Sequence, residues 1–485
     1  MVNLRRSLLI NFFSSTGATV AQFITSLILA RMLSPSEIGV FSITIVFVNI
    51  AHIFRDFGVT TYLQREAQLT PEKIRAAIGV LLTTSWLIAA VLFLLSGAIA
   101  TWFKEPAIAP VMKVLALGFI FIPFGAVTNA LLTREFASDK QALVSAISTI
   151  SYVGTCLGLA SLGFGSLSLA WANLVNIIVC AIAYFPLRPA GMPWLPAFRQ
   201  WGAVLHFGMG SVVSNSAAAI NNAVPDMLLG KLSGAQQVGL FSRANSTVAI
   251  FSYVAGSTVN YGAVSYVSQA HHRGDSLTPL LNRAIGLLTG LGWPILGVTA
   301  VLGREIVTAL YGQKWIDCVP AVAALAIASA IGMTFNYTPT ALTALGRPYL
   351  SAIPIVVTFL VRLGCGWAFF DGSLAGFAWT ICAATLASVP VMLFQNHRYL
   401  AYPVGSLFRA VLPSAIVALA CSAAAFLLRM LLPSHLSALA CLLLLVAPLT
   451  LVWYGALCLT HHPVLGEVHH FSRSLKERLD KWLGH

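Results

Sequence analysis

Apolar residues run in long blocks along most of the chain, separated by short polar segments. A bilayer crossing takes about 20 mostly apolar residues in a helix. About fourteen blocks meet that requirement, at roughly 8–30, 38–57, 76–101, 108–132, 142–162, 165–186, 208–231, 240–268, 280–302, 319–345, 349–370, 374–395, 408–430 and 436–459. The pattern predicts an all-α polytopic membrane protein. A transmembrane β-barrel would instead alternate apolar and polar residues in segments of about ten. No connection is long enough to fold as a domain outside the bilayer. The longest, 58–75, 187–207 and 269–279, are partly amphipathic.

The blocks repeat. Leu29-Ala30-Arg31-Met32-Leu33-Ser34-Pro35-Ser36-Glu37-Ile38-Gly39-Val40-Phe41-Ser42 aligns without a gap on Leu229-Gly230-Lys231-Leu232-Ser233-Gly234-Ala235-Gln236-Gln237-Val238-Gly239-Leu240-Phe241-Ser242. A cation matches a cation, and Gly-apolar-Phe-Ser matches Gly-apolar-Phe-Ser. Further on, Ala130-Leu131-Leu132-Thr133-Arg134 parallels Ala341-Leu342-Thr343-Ala344-Leu345-Gly346-Arg347. Spans 1–6 therefore correspond to spans 7–12. Both halves begin on the same side, so the repeat is parallel. Its pseudo-twofold axis should follow the membrane normal, with a central cavity between two six-helix lobes. The expected organisation is an N-lobe over 1–200, a C-lobe over 201–400, two added spans over 401–460 and a cytoplasmic amphipathic tail over 461–485.

Composition agrees with the pattern. Of 485 residues 58% are hydrophobic and 9% charged, against about 25% charged in soluble proteins. The net charge of +13 would suggest nucleic acid in a soluble protein, but no basic run with interleaved aromatics occurs. Arg and Lys instead fall more than two to one on the side of the N-terminus, which places both termini in the cytoplasm. Asn3-Leu4-Arg5-Arg6 reads as the cytoplasmic anchor of a first span rather than as a cleaved leader. From Val464 to Trp482 the apolar positions share one helical face. That suits a helix on the inner leaflet, and a merely solvated charged tail fits almost as well.

Enzyme signatures are missing. There is no Walker A sequence, no HExxH and no Gly-x-Ser-x-Gly. The pairs His271-His272, His461-His462 and His469-His470 are adjacent residues in loops or tail, a poor arrangement for a metal. Seven of the eight cysteines lie inside apolar blocks and no CxxC occurs, so they read as small apolar fillers. Polar residues inside spans carry more information. A central Arg costs about 3 kcal/mol on insertion scales, so Arg362 should face a wet cavity or an acidic partner, unless its span is shifted and it snorkels to an interface. Asn215, Asn222 and Asp226 share a helical stripe, and Pro225 frees the carbonyl near Asn221. Asp226 either lines a cavity, titrating or holding a cation, or pairs with Lys231 or Arg243 at an interface. His52 either relays protons or bonds between helices. Asp56 either takes part in coupling or pairs with Arg55.

Several of these stretches resemble one family. Leu29 through Gly39 is similar to the end of the first span in the polysaccharide transporter family, the Wzx-type flippases of lipid-linked oligosaccharides. Phe54-Arg55-Asp56-Phe57-Gly58 with Tyr62-Leu63-Gln64 resembles its second-span end. Asp226, Gly230-Lys231-Leu232 and Gly239-Leu240-Phe241-Ser242-Arg243-Ala244 resemble its span 7–8 region, and Tyr311-Gly312-Gln313-Lys314-Trp315 the segment before span 10. The likeness covers about residues 1–400 and fades over the last two spans. Phe241 and Lys231 stand where Tyr and Arg are common in the family, which keeps the ring and the charge. The family belongs to the multidrug/oligosaccharidyl-lipid/polysaccharide exporter superfamily, together with drug exporters and the lipid II flippase.

The resemblance implies a flippase in the bacterial cytoplasmic membrane. It would carry an undecaprenyl-pyrophosphate-linked oligosaccharide from the inner to the outer leaflet by alternating access, for surface or exopolysaccharide. Sugars and pyrophosphate cannot cross hydrocarbon unshielded. Arg31, Asn221, Asn222, Lys231, Arg243 and Arg362 are the expected cavity lining, where guanidinium forks suit phosphate oxygens. Asp226, Asp56 and His52 are the expected groups for H⁺ or Na⁺ coupling. No cofactor, metal or nucleic acid is expected. The further partners are membrane lipids, a polysaccharide polymerase and chain-length or export machinery. Three rivals remain: a small-molecule or drug exporter of the same superfamily, a scaffold that transports nothing, and a membrane glycan polymerase or ligase. The last would need a sizeable loop outside the membrane.

Overall fold

A computed structural model describes residues 4–66, 68–189, 191–193, 195–198, 201–260, 273, 276–368, 372–433 and 435–470, without the side chains of 4–9, 11–13, 15, 203–211, 213–218, 250–260 and 348. Among the described residues the regular structure is helical throughout. The first half contains α1 (Leu4–Met32), α2 (Pro35–Asp56), α3 (Val59–Arg65), α4 (Pro71–Phe103), α5 (Ile108–Arg134), α6 (Ser138–Ser161) and α7 (Ser166–Tyr184). Next comes a long helical stretch, Gly202–Asn260, broken only at Gly234 (φ 82°, ψ 177°). Its two arms are α8 (202–233) and α9 (235–260). Then follow α10 (Thr278–Val301), α11 (Gly303–Tyr311), α12 (Val319–Thr334), α13 (Tyr337–Ala344), α14 (Ala352–Ala368), α15 (Leu374–Tyr399), α16 (Val404–Leu431) and α17 (Ala438–Leu459), with short 3₁₀ turns at Gln313–Cys318 and Pro348–Ser351. A last helix, α18, occupies 463–470.

Among the described residues, eleven segments are long and apolar enough to cross a membrane. The expected fourteen is reached only when α1, α8 and α9 are added, which length alone qualifies. Two boundaries differ from expectation. The connection foreseen between spans 7 and 8 is a single residue, because a glycine can take the positive φ that reverses the helix without a loop. The block 319–345 is two helices, parted at Phe335 and Asn336. Pro339 has no amide to offer the Phe335 carbonyl, and its ring crowds that group.

Local chemistry starts the helices. Ser34 and Glu37 form a reciprocal capping box at α2: the Ser34 amide donates to Glu37 Oε2 at 2.7 Å and the Glu37 amide to Ser34 Oγ at 3.3 Å. Pro35 sits in the first turn, where no amide is missed. Thr70, Ser373 and Ser437 cap α4, α15 and α17 more simply, each side-chain oxygen accepting from the amide three residues on. Phe57 and Gly58, both left-handed, end α2 and begin α3.

The chain packs as two compact units, Met1–Ser242 and Arg243–His485. In the first, α5 packs between α4 and α7, and α6 packs between α7 and α1. Val59, Leu63, Ala77, Leu81, Val127 and Ala130 form a buried cluster that seats α3 on α4 and α5. Arg134 closes it by donating to the Leu63 carbonyl at 3.1 Å and to that of Glu66.

In the second unit α10 packs on α12 and α16, α15 joins α12 to α14, and α17 packs on α16 and α11. Only 22% of the α16 span and 17% of the α17 span are buried, against 56% for α5. Leu431 and Leu459 are 80% and 86% exposed. Apolar surface on that scale suits lipid, not water. Ion pairs Glu305–Arg429 and Arg283–Glu467 tie α11 to α16 and α10 to α18. The amphipathic tail expected to Trp482 is described as far as residue 470; the rest lies outside the described residues.

Candidate functional site

The repeat is visible as a packing motif. Pro35 and Ala235 head α2 and α9, and Gly39 and Gly239 lie one turn further in. A Cβ on Gly39 would land on the Ala235 carbonyl oxygen, and 2.9 Å from the Gly239 nitrogen. A Cβ on Gly239 would land on the Pro35 carbonyl oxygen, and 3.0 Å from the Gly39 nitrogen. The two contacts exchange under a shift of 200 positions, as they must where two equivalent helices cross about a local twofold. Backbones can approach this closely only where both residues lack side chains. Gly230 is also crowded: a Cβ there would stand 3.0 Å from Ile43 Cδ1 and 3.1 Å from Phe103 Cε1.

The cations at the helix ends beside this crossing are Arg31 and Lys231, both exposed. Lys231 Nζ donates to the Trp102 carbonyl at 2.7 Å and lies 5.0 Å from the Trp102 ring centroid. That carbonyl belongs to the last turn of α4, where cations are favoured. Lys231 is therefore held by an aromatic face and a helix end, and not by Asp226. No ion pair or hydrogen bond to the Asp226 carboxylate is found among the described residues. Asp226 is half-buried beside Pro225, which is buried, and shares a face with the exposed Asn222. Asn221 is half-buried and leads by turns to Pro225 and the fully buried Leu229. The Asn215 side chain lies outside the described residues.

His52, Arg55 and Asp56 gather where α2 ends. The His52 ring packs against Phe119 of α5, with centroids 4.7 Å apart. Its Nδ1 accepts from Arg55 Nη2 at 3.4 Å. The expected Asp56–Arg55 ion pair is not among those formed. Asp56 instead accepts from Thr60 Oγ1 at 2.6 Å, while Thr84 Oγ1 donates to the Arg55 carbonyl at 2.9 Å. His52 and Asp56 thus join α2 to α5 and α3.

Arg243 and Arg362 belong to the second unit. Arg243 is 7% exposed. Its guanidinium carbon lies 5.5 Å from both the Tyr311 and the Trp315 ring centroids. Stacking of this kind suits the planar, weakly hydrated guanidinium. Tyr311-Gly312-Gln313-Lys314-Trp315 is the floor of this cage, turned by Gly312 at φ 96°. Arg362 is half-buried in the second half of α14, on the same face as the buried Thr358 and Gly366 one turn either side. It shares that face with them, half-buried.

Sequence reasoning passed over three groupings in the second unit. Glu305 and Arg429 pair across 124 positions of sequence. Thr289 Oγ1, Ser414 Oγ and His462 Nε2 form a buried chain, with separations of 2.7 and 3.0 Å. The Val464 amide donates to His462 Nδ1 at 3.2 Å, so Nε2 carries the proton and gives it to Ser414. Burial lowers the pKa of this imidazole. The third is a cavity of about 700 Å³ lined by Asn282, Arg283, Arg409 and His470 among others. None of these follows from spacing, because each joins residues from distant spans. His462-Pro463, opening a helix just after a span, was the one available hint.

Among the described residues, fold and packing define an all-helical membrane protein. The sequence profile of the family described as polysaccharide biosynthesis protein matches residues 28–320, and the chain belongs to that family. The succinoglycan biosynthesis transport protein ExoT of Rhizobium meliloti (strain 1021) is 25% identical over 322 residues, which cover 66% of this chain and 64% of ExoT, a little under two thirds of that relative. The lipopolysaccharide biosynthesis protein WzxC of Escherichia coli (strain K12) is 21% identical over 376 residues, 76% of each chain. Lipid II flippase MurJ, in an inward closed conformation, is similar in fold with a TM-score of 0.76 at 13% identity, covering 92% of this chain and 98% of MurJ.

Proposed function

We propose that this protein is a flippase that moves an undecaprenyl-pyrophosphate-linked oligosaccharide from the inner to the outer leaflet of a bacterial cytoplasmic membrane, with both termini in the cytoplasm. The observation that carries the reading is membership of the polysaccharide biosynthesis family across residues 28–320. The MurJ-like fold and the names of ExoT and WzxC support it. Alternating access supplies the mechanism: a wet cavity takes the sugars and pyrophosphate while the polyprenyl tail stays in lipid. Arg31, Asn221, Asn222, Lys231, Arg243 and Arg362 are the proposed cavity lining. Of these, Arg31, Asn222 and Lys231 are exposed, so they meet substrate first. Arg243 contributes only when its aromatic cage opens. An inside-negative potential favours outward movement of the anionic headgroup by about 2.3 kcal/mol per charge per 100 mV.

Asp226 is the proposed coupling group for H⁺ or Na⁺, with Asp56 and His52 as secondary sites. A half-buried carboxylate with no ion pair or hydrogen bond among the described residues is costly to keep charged, and a cation or proton relieves that cost. The test is export in a strain lacking this gene. Undecaprenyl-linked repeat units should accumulate on the cytoplasmic face, and the wild-type gene should restore surface glycan. Asp226→Asn protein, inserted at normal levels, should restore at most about a hundredth of the rate, the lower end of what one positioned proton-transfer group contributes. Normal export without the gene, or full rescue by Asp226→Asn, would respectively sink the flippase reading or the coupling role.

A further inference from the structure

The cavity at the foot of α10, α16 and α18 belongs to none of the proposed cavity-lining or coupling residues. An open cavity of about 700 Å³ is lined by Pro279, Asn282 and Arg283 of α10, Arg409 and Pro413 of α16, and the α18 residues Pro463, Gly466, Glu467 and His470. Its walls are pinned. Tyr402 donates to Asn282 Oδ1 at 2.6 Å, and the Thr289–Ser414–His462 chain ties α10, α16 and the start of α18 together just beneath. Prolines from all three helices form an apolar floor. The rim is ionic: Arg283, Arg409 and His470, against the single carboxylate of Glu467. Glu467 Oε1 accepts from Arg283 Nη2 at 2.7 Å, and both side chains are at least half exposed. Among the described residues that leaves Arg409 as an excess cation, whose Nε donates to the Gly405 carbonyl at 3.3 Å. α10 meets the cavity with its first turn, at Pro279, where the helix dipole adds to the positive potential.

We propose that this cavity binds the phosphate of an anionic lipid headgroup. Its lining comes from near the N-terminal ends of the candidate spans α10 and α16, which puts it within reach of ligands from the leaflet as well as from water. A phosphodiester fits between Arg409 and Arg283, where guanidinium groups present paired donors. The prolines and Ala410 receive the glycerol and the upper acyl chain. Basic pockets between spans are a recurrent means of holding such headgroups. Glu467 acts as a built-in competitor: a phosphate must share Arg283 with it or displace it. The inference does not rest on what the protein transports. The phosphate can come from bulk phospholipid or from a polyprenyl phosphate, and binding measurements separate the two.

The experiment uses the full-length protein in nanodiscs of phosphatidylcholine, titrated with short-chain phosphatidylglycerol, short-chain phosphatidylcholine or a polyprenyl phosphate. Binding is read by native mass spectrometry and by tryptophan fluorescence. Phosphatidylglycerol should bind saturably and phosphatidylcholine should not. Arg409→Gln should weaken binding about 5-fold, the weight of one cation near a membrane surface. Glu467→Gln should tighten it by a similar factor, because Arg283 is released. Opposite signs from two neighbouring substitutions cannot arise from general misfolding. Competition between polyprenyl phosphate and phosphatidylglycerol identifies a general lipid-phosphate site. Binding of polyprenyl phosphate alone assigns the site to that lipid. Equal binding of both phospholipids, or Arg409→Gln and Glu467→Gln acting in the same direction or not at all, overturns the proposal.

Discussion

Replacing Gly39 with Ala tests the crossing of α2 and α9 most directly. The new methyl group would coincide with the Ala235 carbonyl oxygen, backed by the Gly239 nitrogen at 2.9 Å. Both obstacles are helix backbone, so no side chain can swing aside. Ordinary contact with a carbonyl oxygen begins near 3.4 Å, so the helices must part by more than about 1 Å, which interiors of this density resist. Overpacking of this kind costs about 1–3 kcal/mol. If transport requires states with the crossing closed and open, that cost shifts their ratio about 5- to 150-fold toward the open one. Gly239→Ala should act alike, because its methyl would meet Pro35 in the same way. Gly97→Ala in α4 is the control, since nothing lies within 4 Å of its Cβ position. The assay is thermal unfolding of the purified protein alongside glycan export. Both crossing variants should melt several degrees lower and export more slowly, while Gly97→Ala matches wild type. Wild-type melting and export for both Gly39→Ala and Gly239→Ala would refute the close approach.

Three further outcomes follow from the packing. Lys231→Met should cost about 1–2 kcal/mol by removing the hydrogen bond and the ring contact at Trp102, seen as a lower melting temperature; an unchanged melt would mean the ammonium is solvated instead. Tyr402→Phe should cost about 1–2 kcal/mol by leaving Asn282 without its donor, and hydrogen exchange should speed up at the start of α10 and not in α5. His462 is held neutral by burial, so its pKa lies below the ordinary 6.5. The unfolded chain then takes up a proton that the folded one refuses, and stability is full above 6.5 and falls as pH drops below it. Protease cleavage within 463–470 should increase between pH 7 and pH 5 in wild type and stay flat in His462→Gln.

Much of this fold is legible as pattern. The bilayer imposes one length and one polarity on every span, so apolar blocks mark the helices to within a few residues. Capping residues such as Ser34 and Thr70 sharpen their starts. Two failures have the same origin: backbone geometry set by a single residue inside an apolar run. Gly234 replaces a loop, and Pro339 splits a helix. The repeat was also readable, but its reason was not. Gly39 and Gly239 align in sequence, while their mutual contact exists only in three dimensions. The ionisable residues in spans could be named from their cost, yet partners could not. Lys231 chose a tryptophan and a helix end, Asp56 a threonine, and Arg243 two rings. Chains such as Thr289–Ser414–His462 leave no mark in sequence, because three ordinary residues in three segments carry no period.

That chain also imposes an order on biogenesis. Thr289 meets Ser414 across 125 positions, and Ser414 meets His462 across another 48. A ribosome emitting α10 makes a helix whose buried hydroxyl has no side-chain partner until α16 and then the segment after α17 have been inserted. The packing of α10 against α16 and the segment after α17 is therefore completed only when the last helices arrive. The N-terminal unit has most of its α3 cluster in place long before, from residues 59–131, with Met192 added later. Premature stops near residue 450 should thus harm quality control out of proportion to the length lost, though they remove none of the residues proposed to carry substrate.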